Sequence, residues 1–92
     1  MTDLQTGTVT TTDVTTSLGS PHTVVLHNDE EHSMEEVIVQ IIKAIACSLQ
    51  KAESIMTEAH SKGRAVVISS HLERCEHVAA VLEQIGLRVD IE

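Results

Sequence analysis

Residues 27–35 read His27-Asn28-Asp29-Glu30-Glu31-His32-Ser33-Met34-Glu35, and this short run concentrates an amide, carboxylates and two imidazoles between two apolar segments. It offers hydrogen-bond acceptors and negative charge without a lysine or arginine, which suits something small and positively charged. Further along, Met56 and His60 stand four residues apart and so share one face of a helix. If that helix lies beside one starting at Met34, an apolar pocket results, lined by Met34, Val37, Met56 and Ala59, with Asn28, Asp29 and His60 at its mouth. Such a mouth fits an ammonium group: Asp29 supplies charge, the Asn28 carbonyl accepts a hydrogen bond, and a neutral His60 imidazole accepts another. An α-amino group, with an ordinary pKa of about 7.7 to 8.0, is largely protonated at neutral pH. Only a chain terminus carries one next to a side chain.

Other readings use the same residues. The acids also suit a solvated helix N-terminus, where Glu35 and Glu36 favour the macrodipole, and His60 also suits the last turn of a helix. Met34 and Met56 are good core fillers. His27, Asp29, His32 and His60 are acceptable metal ligands and His71 and His77 lie elsewhere, but their spacing matches no standard zinc signature, so no metal is expected. No Ser or Cys nucleophile stands beside a His, and no Gly-rich phosphate loop is present, so neither catalysis nor a cofactor is expected.

The elements that position these residues follow from the patterning. Residues 1–21 are Thr-rich with no apolar periodicity and read as a flexible tail, leaving residues 22–92 for the domain. Thr23-Val24-Val25-Leu26 reads as a strand ending near Asn28. Ser33 and Glu36 form a capping-box pattern, followed by Met34, Val37, Ile38, Ile41, Ile42 and Ile45 at helical spacing, which predicts a helix over about 34–46. Ser48 caps a second helix with Leu49, Ala52, Ile55, Met56 and Ala59 on one face and Gly63 at its stop. Residues 64–69 form the next strand. Ser70 with Glu73 suggests another capping box, opening a helix whose apolar face is Leu72, Cys75, Val78, Ala79, Leu82 and Ile85. From Leu87 to Glu92 the chain alternates, which places Leu87, Val89 and Ile91 inward and the charges outward. The order β-α-α-β-α-β predicts an α+β fold, three helices packed on a small, mostly antiparallel three-stranded sheet.

Composition narrows the partners. With 92 residues and no Phe, Tyr or Trp, the chain builds one modest aliphatic core. A formal net charge of −8, six Lys and Arg against fourteen Asp and Glu, opposes nucleic-acid binding. No apolar run is long enough to span a membrane, and the first residues do not resemble a secretory signal. Cys47 and Cys75 form no Cys-x-x-Cys pair and read as reduced, so a cytoplasmic protein is expected.

Val24 to Glu35 resembles the strand-loop-helix of the ClpS adaptor proteins, whose pattern is an apolar strand, Asn-Asp-Asp, a Thr-Pro pair and Met-Glu. Met56-Thr57-Glu58-Ala59-His60-Ser61-Lys62-Gly63 is similar to that family's Met-x-x-Val-His-x-x-Gly. The likeness covers about residues 22–92. It implies a monomeric, non-enzymatic adaptor of the N-degron pathway, which captures proteins with a bulky hydrophobic N-terminal residue (Leu, Phe, Tyr or Trp) and delivers them to a ClpA- or ClpC-type AAA+ unfoldase and its ClpP peptidase. By resemblance, Asn28, Asp29 and His60 correspond to contacts to the substrate α-amino group, Met34 to a gate against β-branched termini, and Val37, Met56, Ala59 and Leu87 to pocket walls. Glu73 matches an acidic residue for docking on the unfoldase N-terminal domain, whereas Val78 stands where a Lys is expected. Glu30, His32 and Ser33 replace Asp, Thr and Pro, implying a less stiff loop, and Ala59 replaces Val, implying a roomier pocket. The resemblance further implies that the tail is engaged by the unfoldase pore. The alternatives are a docking module without an amino-terminal pocket and a His/acid metal-binding domain.

Overall fold

Three segments rich in β-branched residues pair into a sheet, and the three amphipathic stretches between them fold as helices over one of its faces. In the computed structural model, which describes residues 21–92, the elements are β1 (His22–His27), α1 (Met34–Ile45), α2 (Leu49–Lys62), β2 (Arg64–Ser70), α3 (Leu72–Glu83) and β3 (Val89–Ile91). The expected tail falls outside the described residues, apart from Pro21. β1 is the central strand, antiparallel to β2 on one side and to β3 on the other. The register shifts between Val24, opposite Ile68, and Val25, opposite Val66, so Val67 is an extra residue, a bulge in β2.

Val24 and Leu26 of β1 and Ala65 and Val67 of β2 face the helices and pack with Val37 and Ile41 of α1, Ala52 and Ile55 of α2, and Cys75, Val78 and Leu82 of α3. Leu87, just before β3, closes this core. The opposite face of the sheet carries Thr23, His27 and the strand-end charges, yet Val25 on that face is fully buried. On the same face Arg64, opposite His27, donates from Nη2 to Glu92 Oε2 at 2.7 Å, and the Glu92 backbone pairs with Thr23 at the far end of β1, so this ion pair joins the two outer strands diagonally across β1.

The helix ends show which capping signals act. Ser33 is the N-cap of α1 in a full capping box, its Oγ accepting from the Glu36 N–H at 3.1 Å while its own N–H donates to Glu36 Oε1 at 2.8 Å. Ser48 caps α2 through the Lys51 N–H. Gly63 ends α2 at φ 89°, in the left-handed region that costs a glycine little, and donates to the Ala59 carbonyl.

Several expectations are corrected. The N-cap of α3 is His71, with no side-chain cap, because Ser70 is still in β2 and its hydroxyl lies against His71 Nδ1. α1, by contrast, ends as expected, its last residue Ile45 followed by Ala46 in a left-handed cap conformation at φ 55°. Leu49 and Leu72 were expected on core faces, but each is the first residue of its helix, projects past the core, and is largely exposed. Among the described residues no helix is long and apolar enough to cross a membrane.

Candidate functional site

The loop from Asn28 to Ser33 holds its shape through the residues that make it polar. Asp29 accepts from two backbone donors ahead of it, the Glu31 N–H on Oδ1 and the His32 N–H on Oδ2, each at 3.1 Å. This is an Asx-type turn that folds the loop back on itself. His32 Nδ1 also meets Asp29 Oδ2, and because a carboxylate only accepts, the proton of the neutral ring sits on Nδ1. Asn28 donates from Nδ2 to Glu30 Oε2 at 2.8 Å, which orients the amide and leaves its carbonyl oxygen as the free end. The softer loop expected from Ser33 in place of Pro is offset here, since Ser33 supplies a backbone N–H to Glu36 that proline lacks.

Two backbone hydrogen bonds sew this loop to the rest of the fold. The His27 N–H donates to the Arg88 carbonyl at 3.0 Å, and the Asn28 N–H donates to the Gly63 carbonyl at 2.9 Å. The second bond places the end of α2, and with it His60, beside the start of the loop. A cavity of about 40 Å³ lies at this junction, lined by Leu26, His27, Asn28, Asp29, His32, Met34, Val37, Met56, Ala59, His60 and Leu87. The cavity brings together Asn28, Asp29, His60, Met34, Val37, Met56 and Ala59, which spacing had grouped, and Leu87, which only the family resemblance had placed with them. Glu73 stands apart, exposed on α3, and Val78 is fully buried in the core, so a docking contact at that position is excluded.

Leu26, His27 and His32 complete the lining and were not read as pocket residues from the sequence. Strand parity offered a signal for Leu26, which shares the helix-facing side with Val24. For His32 there was none, because its position depends on the Asx turn. The ring packs on the turn after α3, where a Cβ added at Gly86 would lie 3.9 Å from His32 Cε1.

The electrostatics are dominated by the Asp29–His32 pair. Burial alone would raise the Asp29 carboxyl, but the Glu31 N–H together with the hydrogen bonds and charge of His32 outweighs it and holds the group below the ordinary carboxylate range. The hydrogen bond to Asp29 raises the His32 imidazole above its ordinary value, against desolvation and with help from the Ile85 carbonyl and Glu36. Of the four residues considered as metal ligands, His27 has its Nε2 2.6 Å from Asp90 Oδ2 and His32 has its Nδ1 on Asp29 Oδ2. Among the described residues no three His, Cys, Asp or Glu side chains form a metal-binding group.

Three helices layered on an antiparallel sheet, with a cavity where β1, α1 and α2 meet, make a small α+β domain. The sequence model for "ATP-dependent Clp protease adaptor protein ClpS" matches residues 18–90, and the chain belongs to this family. An ATP-dependent Clp protease adapter protein ClpS of Synechococcus elongatus is 36% identical over 70 residues, 75% of this chain and 74% of that protein. The E3 ubiquitin-protein ligase UBR1 of Drosophila melanogaster is 32% identical over 65 residues, 71% of this chain but 4% of that much larger protein. Among solved structures, Agrobacterium tumefaciens ClpS2 bound to L-phenylalaninamide is similar with a TM-score of 0.75 and 25% identity, covering 79% of this chain and 95% of that one.

Proposed function

We propose that this protein is an N-degron adaptor: it binds proteins that begin with a bulky hydrophobic residue, Leu, Phe, Tyr or Trp, and delivers them to a ClpA- or ClpC-type AAA+ unfoldase and ClpP. The observation that carries this reading is a single apolar cavity whose mouth presents acceptors from two elements, Asn28 and Asp29 from the loop and His60 from α2. In this reading the Asn28 carbonyl and a neutral His60 accept from the ammonium while Asp29 supplies charge. Val37, Met56, Ala59 and Leu87 wall the side-chain pocket, and Met34, 56% exposed at its rim, gates it. The ClpS2 structure supports the assignment, since L-phenylalaninamide pairs an aromatic side chain with a free α-amino group.

The role is binding rather than catalysis, in the cytoplasm, as a monomer. Glu73 serves unfoldase docking, and residues 1–21 act as the tail handed to the unfoldase. Fluorescence anisotropy with a Leu-initiated peptide tests the pocket. The free-amine peptide is expected to bind at least about tenfold more tightly than its N-acetyl form, because acetylation removes the charge and two donors. Equal binding of the two peptides would refute the reading.

A further inference from the structure

Of the three cavity residues to which the proposed function gives no task, Leu26, His27 and His32, the last is the one bonded to a proposed amine contact, Asp29. The His32 Nδ1 is held by the Asp29 carboxylate, the Ile85 carbonyl lies beside the ring, and a Cβ added at Gly86 would be in contact with the ring's Cε1. The His32 side chain and that of Asp29 are 18% and 16% exposed, and both line the cavity. Asp29 already accepts two backbone N–H groups and the imidazole, which leaves it little capacity for another donor.

Resting on the amine-binding reading above, the geometry points to His32 as a positioning residue that sets how much of the Asp29 charge is available to a substrate α-amino group. Neutral His32 orients the carboxylate and leaves its charge intact. Protonated His32 is a second cation on the same carboxylate, so the imidazolium and the substrate ammonium are rivals for Asp29. The charged groups that face the ring are Asp29 from the loop and Glu36 from α1, while the turn at Ile85, Gly86 and Leu87 contributes a carbonyl and no ionisable side chain. His60 stands on the α2 side of the mouth. Both carboxylates favour the imidazolium, so the rivalry begins at a higher pH than for an isolated histidine.

The test compares the full chain with His32→Thr and His32→Gln, measuring the affinity of one Leu-initiated free-amine peptide between about pH 8 and about pH 5.5. His60 is unchanged in all three proteins, so the ratio of wild type to variant isolates the effect of position 32. The expected result is similar affinity near pH 8 and, toward pH 5.5, a wild-type loss greater by up to about tenfold. A constant ratio across the range overturns the proposal, including the case in which both variants are uniformly weaker because His32 merely props the loop. An NMR titration of the wild-type His32 ring covers the case of misfolded variants: its midpoint is expected to fall when the peptide saturates the site, and an unchanged midpoint overturns the proposal. Failure of the underlying reading looks different, with the N-acetyl peptide binding as well as the free amine at every pH.

Discussion

Glu30 does not line the cavity, yet its carboxylate accepts from Nδ2 of the wall residue Asn28 and so orients that amide. If that orientation matters, Glu30→Ala lets the amide turn and present either oxygen or nitrogen to the ammonium. We expect the affinity for a Leu-initiated peptide to fall about three- to tenfold, the equivalent of one modest hydrogen bond. Thermal stability should be unaltered, since Glu30 is exposed, and Glu30→Gln, which keeps an acceptor, should restore most of the binding. The same residue-level view makes Asp29→Asn more than a charge probe: Asp29 accepts the Glu31 and His32 N–H groups on separate oxygens, and the single oxygen of an amide can keep only one of them.

At the level of elements, the loop is held between the capping box of α1 and the glycine stop of α2. Ser33→Ala removes the acceptor for the Glu36 N–H and should cost about 1 kcal/mol. Gly63→Ala leaves space for the methyl group but forces a φ of 89° on an L-residue, at about 1 to 2 kcal/mol. Urea denaturation monitored by circular dichroism measures both, and a loss below the error of the midpoint would show that the cap concerned does not act. These two signals were legible because they are local: the Ser33-x-x-Glu36 pattern and the glycine after a periodic run state their own geometry. The α3 start was misread because Ser70 was claimed by strand pairing with His22, and tertiary pairing overrides a cap preference. The cavity walls from α1 and α2 could be read from helical spacing. Strand parity with Val24 pointed to Leu26, whereas His32 could not be read, since its place depends on a side-chain turn.

Across the whole molecule, the Asp29–His32 pair links pH to stability in a definite direction. The folded His32 value is raised, so its contribution is fully present below the unfolded imidazole value and is lost as pH rises through the folded value. The folded Asp29 value is lowered, so its contribution is present above the unfolded carboxylate value and is lost as pH falls through the folded one. Both act together in mild acid, between the two ranges. The pair should therefore stabilise the wild type relative to His32→Gln more near pH 5.5 than near pH 8, about the range over which peptide affinity declines. Parallel stability profiles for wild type and variant would sink the linkage.

The aliphatic core has an optical consequence as well as an energetic one. With no Phe, Tyr or Trp, the protein is dark in the near ultraviolet and in intrinsic fluorescence. Emission from a Trp-initiated peptide would then belong entirely to the ligand, and a shift to shorter wavelength on mixing would report an indole leaving water for the walls formed by Val37, Met56 and Leu87.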